Sequence, residues 1–210
     1  MLEKLPSVIG QALHDRRAGL GSIAFNLIDL REGTAAINVS SLAFGDHEAI
    51  PAQYTADGAG TSPPVEWTGI PLETGSVVLL VEDADAPTPH PLVHAIVVAL
   101  PPKDGNLPEG ALDDAELEGD IGRNSYLRTR WLPPDPPPGH GVHRYAFQVF
   151  ALSAGADLPK TPGRESVLKA IEEHAIASGC LIGTYERSDG SIKIPASSAI
   201  AAGPAETPGV

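Results

Sequence analysis

Three runs of the chain, VVLLV (Val77–Val81), VHAIVVAL (Val93–Leu100) and RYAFQVFAL (Arg144–Leu152), are short, apolar and rich in β-branched or aromatic side chains. Runs of that length and composition read as strands of a buried sheet. The third alternates, with Tyr145, Phe147 and Val149 on one face and Ala146, Gln148 and Phe150 on the other. The second is stopped by Pro101 and Pro102, which have no backbone N–H to give to a ladder. The chain is therefore expected to be mostly β.

Weaker signals extend the pattern. AINVSSLAF alternates around Ile37 and Val39, and LIGTY near the end reads as a last strand. One helix is marked late in the chain. Thr161 can cap it, Pro162 suits its first turn, Val167, Leu168, Ile171 and Ala175 form its apolar stripe, and Gly179 is placed to stop it. Residues 1–34 read as a helical arm, with Val8, Ile9, Ala12 and Leu13 at helical spacing. That arm either packs on its own domain or reaches a second copy to build a homodimer. Residues 35–195 form the domain, and the small, Pro/Gly-dotted stretch 196–210 reads as a loose tail.

Between the second and third runs lies a long connection, from Pro101 to Gly141. Its first half is acidic (Asp113, Asp114, Glu116, Glu118, Asp120), a solvated surface on the plainest reading. Arg123, Arg128 and Arg130 follow, placed either to pair with that run or to draw in an anion. Its end, RWLPPDPPPGHG, is stiffened by Pro133, Pro134, Pro136, Pro137 and Pro138 and cannot enter a sheet. A loop this long in a compact domain is often functional.

Composition sets the bounds. Glycine (22) and proline (21) together make about a fifth of the 210 residues, which suits a β fold with many turns. The net charge of -13 repels nucleic-acid phosphates and anionic bilayers, so neither is an expected partner. It says little about a local pocket, because screening confines each charge to about 10 Å. The single Cys180 rules out an internal disulfide and a cysteine-rich metal site. There is no run of the ~18 apolar residues that a membrane span needs, and the charged N-terminus lacks the apolar core of a secretory signal. The expected compartment is the cytoplasm.

The candidate chemistry sits at strand ends. EDADAP (Glu82–Pro87) follows the first run, and in extended backbone Asp83 and Asp85 would emerge on one side, with Pro87 ending the strand. His94 opens the second run. PPPGHGVHRY places His140 and His143 beside a glycine-flanked loop, with His143 and Tyr145 two apart on one face. Each signal alone is matched by an ordinary acidic strand end or a structural histidine. Together they supply Asp, Asp, His, His and Tyr. Such a set could also serve a metal-dependent or acid–base hydrolase, although neither an H-E-x-x-H nor a G-x-S-x-G signature is present.

DADAP, then a strand with an internal histidine, then a proline/glycine loop running into GVHRYAFQVFAL resembles the phosphatidylethanolamine-binding protein family. YTADGAGTSPPVEWTGIP and LIGTYER resemble its bacterial, Raf-kinase-inhibitor-like branch, and the resemblance covers roughly Ile37 to Arg187. It implies a β-sandwich of a large and a small sheet with peripheral helices. It further implies a shallow pocket at one end, formed by Asp83, Asp85, Pro87, His94, Pro136, Pro137, His143 and Tyr145. What the family resemblance implies there is metal-free, cofactor-free binding of a small anion such as phosphate or phosphoethanolamine, with a kinase or a protease as a protein target in some members. In that scheme His94 and His143 contact the anion, Asp83 orients histidine, and Asp85 with Tyr145 shape the wall. One departure stands out. The family loop carries a G-x-G-P-P pattern, and here Pro133 and Asp135 stand in place of the glycines. A negative Asp135 and fewer backbone donors both disfavour phosphate.

Overall fold

The structure, a computed structural model, describes residues 6–28, 35–113 and 117–187. The expected tail at 196–210, and Asp114 and Glu116 of the acidic run, lie outside the described residues.

The three apolar runs become β5 (Thr74–Asp83), β6 (Leu92–Leu100) and β9 (His143–Ser153), side by side in one sheet with β10 (Ala175–Tyr185). All neighbours among these four are antiparallel. Short strands β1 (Ala35–Ala36), β3 (Glu48–Ala49) and β8 (Asp120–Ile121) extend the sheet to seven among the described residues. A second sheet of three, β2 (Asn38–Ser40), β4 (Val65–Thr68) and β7 (Gly105–Leu107), lies across one face. The protein is a β-sandwich of a large and a small sheet.

Both faces of the large sheet are covered, which is why its central strands are apolar without a break. Val77, Leu79, Val81, Tyr145, Phe147 and Val149 pack toward Val39, Val65 and Trp67 of the small sheet. Val78, Leu80, Ile96, Val98, Phe150 and Leu152 pack on Val167, Ala170 and Ile171 of helix α3 (Arg164–His174). Each such side chain contributes roughly 1.5–3 kcal/mol on burial. One buried polar knot fixes the helical layer. The fully buried Glu82 accepts hydrogen bonds from Ala24 N–H (2.8 Å), Gln148 Nε2 (2.9 Å) and Arg164 Nε (2.6 Å).

The late helix differs from expectation at both ends. Its N-cap is Gly163, with no side-chain cap, and it ends at His174, so Ala175 already belongs to β10. Gly179 does not stop a helix. It sits inside β10 where β1 and the residues after it cross, and a Cβ there would stand 2.1 Å from the Ile37 carbonyl oxygen. The arm forms helix α1 (Ser7–Leu13) and helix α2 (Ala24–Leu27), joined through a single 3-10 turn at Leu20–Ser22. It packs on this same chain: Gly19 N–H and Ala18 N–H donate to the carbonyls of Ala84 and Ala86.

Candidate functional site

The ends of β5, β6 and β9 meet at one edge of the large sheet, because Asp83 is in register with both Leu92 and Tyr145. The proline loop folds over that edge. Asp83, Pro87, His94, Pro136, Pro137 and His143, six of the expected residues, line one small cavity of about 40 Å³. Ala86, Leu92, Tyr126, Leu132, Pro133 and Asp135 complete its wall. By the usual water-sized measure this is room for a group of a few heavy atoms.

The extended spacing expected for Asp83 and Asp85 is not kept. β5 ends at Asp83, whose Oδ1 accepts the Asp85 N–H at 2.8 Å and turns the chain. Short Asp side chains favour such turns. The two carboxylates therefore diverge. The Asp85 carboxylate is outside the cavity wall and takes Arg144 Nε (2.7 Å), Arg144 Nη2 (2.6 Å) and Arg17 Nη1 (3.1 Å). Burial alone would raise the Asp85 carboxyl, but the hydrogen bonds of Arg144 and Arg17 outweigh it and hold it below the usual range. Tyr145 also stays out of the wall, as a buried backing for both histidines. Its ring meets His94 edge-on at 5.1 Å and stacks on His143 at 6.4 Å. Burial, and then the Asp83 charge, push its phenol well above the ordinary value.

His143 is committed to the protein on both sides. Its Nδ1 is 2.8 Å from Asp83 Oδ2, and its Nε2 is 2.6 Å from His140 Nδ1. His140 Nε2 in turn faces the Leu13 carbonyl at 2.8 Å. A carbonyl only accepts, so His140 Nε2 carries hydrogen. Burial lowers the pKa of His140, which favours the neutral ring, so its Nδ1 accepts from His143 Nε2. His143 thus bridges the Asp83 carboxylate and the His140 ring.

His94 is built differently. It is 2% exposed, and its Nδ1 donates to the Leu132 carbonyl at 2.5 Å. Its Nε2 has no hydrogen-bond partner among the described residues. Burial lowers its pKa, partly offset by the Asp83 charge, so the ring is neutral near pH 7 and Nε2 presents a lone pair. Leaving a buried acceptor unmet costs about 1–3 kcal/mol.

Asp135, on the opposite wall, is gripped by Arg187: Asp135 Oδ1 accepts Nη1 at 2.6 Å. Arg187 also donates to Asp57 through Nε and Nη2, and to the Pro136 carbonyl at 3.0 Å. The proline loop is thus clamped by a side chain from the end of the fold. Sequence reasoning passed over Arg17 and Arg187. Arg17 reaches His140 across 123 residues and Arg187 reaches Asp135 across 52, and no local pattern reports such pairs. His140 was visible three residues before His143, but its role in the relay was not.

The Asp, Asp, His, His set considered for a hydrolase does not converge on one point, because Asp85 faces its arginines. Among the described residues, no three His, Cys, Asp or Glu side chains are grouped to share a metal ion. Nor is any helix there long and apolar enough to cross a membrane.

The sequence model of the phosphatidylethanolamine-binding protein family matches residues 40–186, most of the sandwich and all of the cavity wall. The chain belongs to this family. Among its relatives is the UPF0098 protein of Pyrococcus abyssi, 40% identical over 159 residues, covering 74% of this chain and 88% of that one. A solved phosphatidylethanolamine-binding protein homolog from Chlamydia trachomatis superposes with a TM-score of 0.66 at 34% identity, covering 74% of this chain and 100% of its own. YbcL of E. coli, described as a new member of the mammalian PEBP family, gives 0.66 at 28% identity over 71% of this chain and 98% of its own. Family membership supports ligand binding in general terms, and the arm before residue 40 lies outside the family match.

Proposed function

We propose that this chain binds a small phosphorylated head group, of the phosphoethanolamine type, at the cavity between β5, β6 and the proline loop. The observation that carries the reading is His94 Nε2, a buried acceptor without a partner on the wall of a cavity. Such an atom is stabilised when a ligand supplies its missing hydrogen bond. The family description supports the ligand class, since a phosphatidylethanolamine head group combines a phosphate and an ammonium in a few atoms. The rigid surround supports binding rather than turnover. His143 and Asp83 are tied to each other, and His143 to His140, so neither histidine of the relay stands ready as a general base.

Titration of the protein with O-phosphoethanolamine, followed by two-dimensional NMR, tests this. Saturable shifts gathered on Ala86, His94 and Tyr126 are the expected result. A flat titration to millimolar ligand overturns the proposal.

A further inference from the structure

The sequence leaves Arg130 two uses, pairing with the acidic run or drawing in an anion. Among the described residues it forms no ion pair, and neither does Lys160. The arginines and lysines that do are Arg17, Arg144, Arg164, Lys169 and Arg187. Both unpaired cations stand on the wall of one cleft of about 970 Å³ beside β8. This cleft is not the head-group cavity: of the described residues only Pro133 lines both.

The cleft wall also contains a buried donor, Trp131, which is 3% exposed. Its ring stacks on Phe147 and tilts over His94, and its Nε1–H has no hydrogen-bond partner among the described residues. A buried N–H left unmet is costly, and a ligand oxygen would remove that cost. Trp67, the chain's other tryptophan, gives the contrast: its Nε1 donates to the Lys103 carbonyl at 3.1 Å.

The other polar groups of the wall limit the charge that a ligand can carry. Asp113 and Asp120 line the same cleft, so two carboxylates cancel the charges of Arg130 and Lys160. Thr129 and Thr161 add hydroxyls that either donate or accept. Burial raises the Asp113 carboxyl and the Arg130 charge lowers it in part, yet the two do not close into an ion pair. A dianion would meet both carboxylates with no net positive field to offset them. A single carboxylate needs only the unpaired cations and the indole N–H. Leu112, Ile121 and Pro133 bring apolar surface to the same wall.

We infer that this cleft binds a small organic monocarboxylate with an apolar body. Its carboxylate faces Arg130 and Lys160 and accepts from Trp131 Nε1–H, and its body lies on Leu112 and Ile121. The site stands apart from the head-group cavity and does not depend on how that cavity is filled.

With two tryptophans, the chain gives two indole N–H resonances. Titration of the full chain with hexanoate should move that of Trp131 saturably and leave that of Trp67 in place. Acetate, which lacks the body, hexanol, which lacks the charge, and inorganic phosphate should each bind at least about tenfold more weakly. The double variant Arg130→Gln/Lys160→Gln changes two exposed side chains and should weaken hexanoate at least about tenfold. Should it fail to fold, Lys160→Gln alone makes the same test. A Trp131 resonance unmoved by millimolar hexanoate overturns the inference, as does phosphate or hexanol binding as tightly as hexanoate. Because Trp131 tilts over His94, the Ala86 and His94 resonances are followed together with the indoles. Hexanoate shifts gathered on Ala86 and His94, and undiminished in the folded variant, would put the carboxylate in the other cavity and equally overturn the inference.

Discussion

Arg17 Nη1 lies 3.1 Å from Asp85 Oδ1, so the N-terminal arm is anchored to the same turn that orients Asp83. Arg17 also donates to the carbonyls of His140 and Val142 at 2.7 and 2.6 Å. One side chain of the arm thus touches both segments that frame the cavity.

Asp85 is fully buried and balances two guanidiniums, and removing its charge strands both. Asp85→Asn should lower stability by about 3 kcal/mol in urea denaturation, in line with breaking a buried ion pair from one side. Arg17→Ala leaves Arg144 in place and should cost only about 1 kcal/mol. Equal losses in the two variants would contradict this ranking.

Gly10 of α1 approaches the proline loop so closely that a Cβ would stand 2.1 Å from the Pro138 carbonyl oxygen. Gly10→Ala should therefore lift the helix from the loop at a cost of about 1–3 kcal/mol. Hydrogen exchange should quicken at the His140 amide, which donates to the Pro137 carbonyl, and stay unchanged in β5 and β9. Unchanged exchange at His140 would show that α1 does not brace the loop.

Burial holds the pKa of both His94 and His140 below the ordinary 6.5. On acidification the unfolded chain takes up protons at these rings near pH 6.5 while the native chain does not. Their contribution to stability is therefore complete above that pH and is lost as the pH falls below it, by up to about 1.4 kcal/mol per unit for each ring. Urea denaturation between pH 7 and 5 should show this decline, and His94→Gln should make it shallower. Parallel slopes in the two proteins would rule His94 out as a contributor.

The Cys180 thiol is pushed up to about 12, by burial and then by the Asp46 and Glu82 carboxylates. Reactivity follows the thiolate. At pH 8, iodoacetamide should leave the native protein unlabelled for the time in which it fully labels the urea-unfolded chain. Equal labelling rates would contradict a half-buried thiol held in its protonated form.

The central strands were legible in the sequence because burial on two faces leaves an unbroken apolar record in Val77–Val81 and Val93–Leu100. The end of α3 was not. Gly179 carries the mark of a helix stop, yet what demands glycine there is the Ile37 carbonyl, a contact 142 positions away. The cavity followed the same division. Asp83, His94 and His143 each mark a strand end in the sequence, but only the family resemblance brings them to one site. The register of β5 with β6 and β9 shows why those ends are neighbours. Asp85 diverges because its N–H turns back onto Asp83 Oδ1, and of the two arginines it then meets, Arg17 comes near only in the folded chain. Asp135 was noticed as a departure from the family loop, and its meaning came from Arg187.

The relay from Asp83 through His143 and His140 ends on a carbonyl of α1, at Leu13, in a stretch that precedes the family match at residue 40. A fragment trimmed to the shared domain would keep every residue of the cavity wall and still lose the acceptor that dictates which nitrogen of His140 bears hydrogen. Both imidazoles would then be free to exchange tautomers, and His143 could turn a nitrogen toward the ligand.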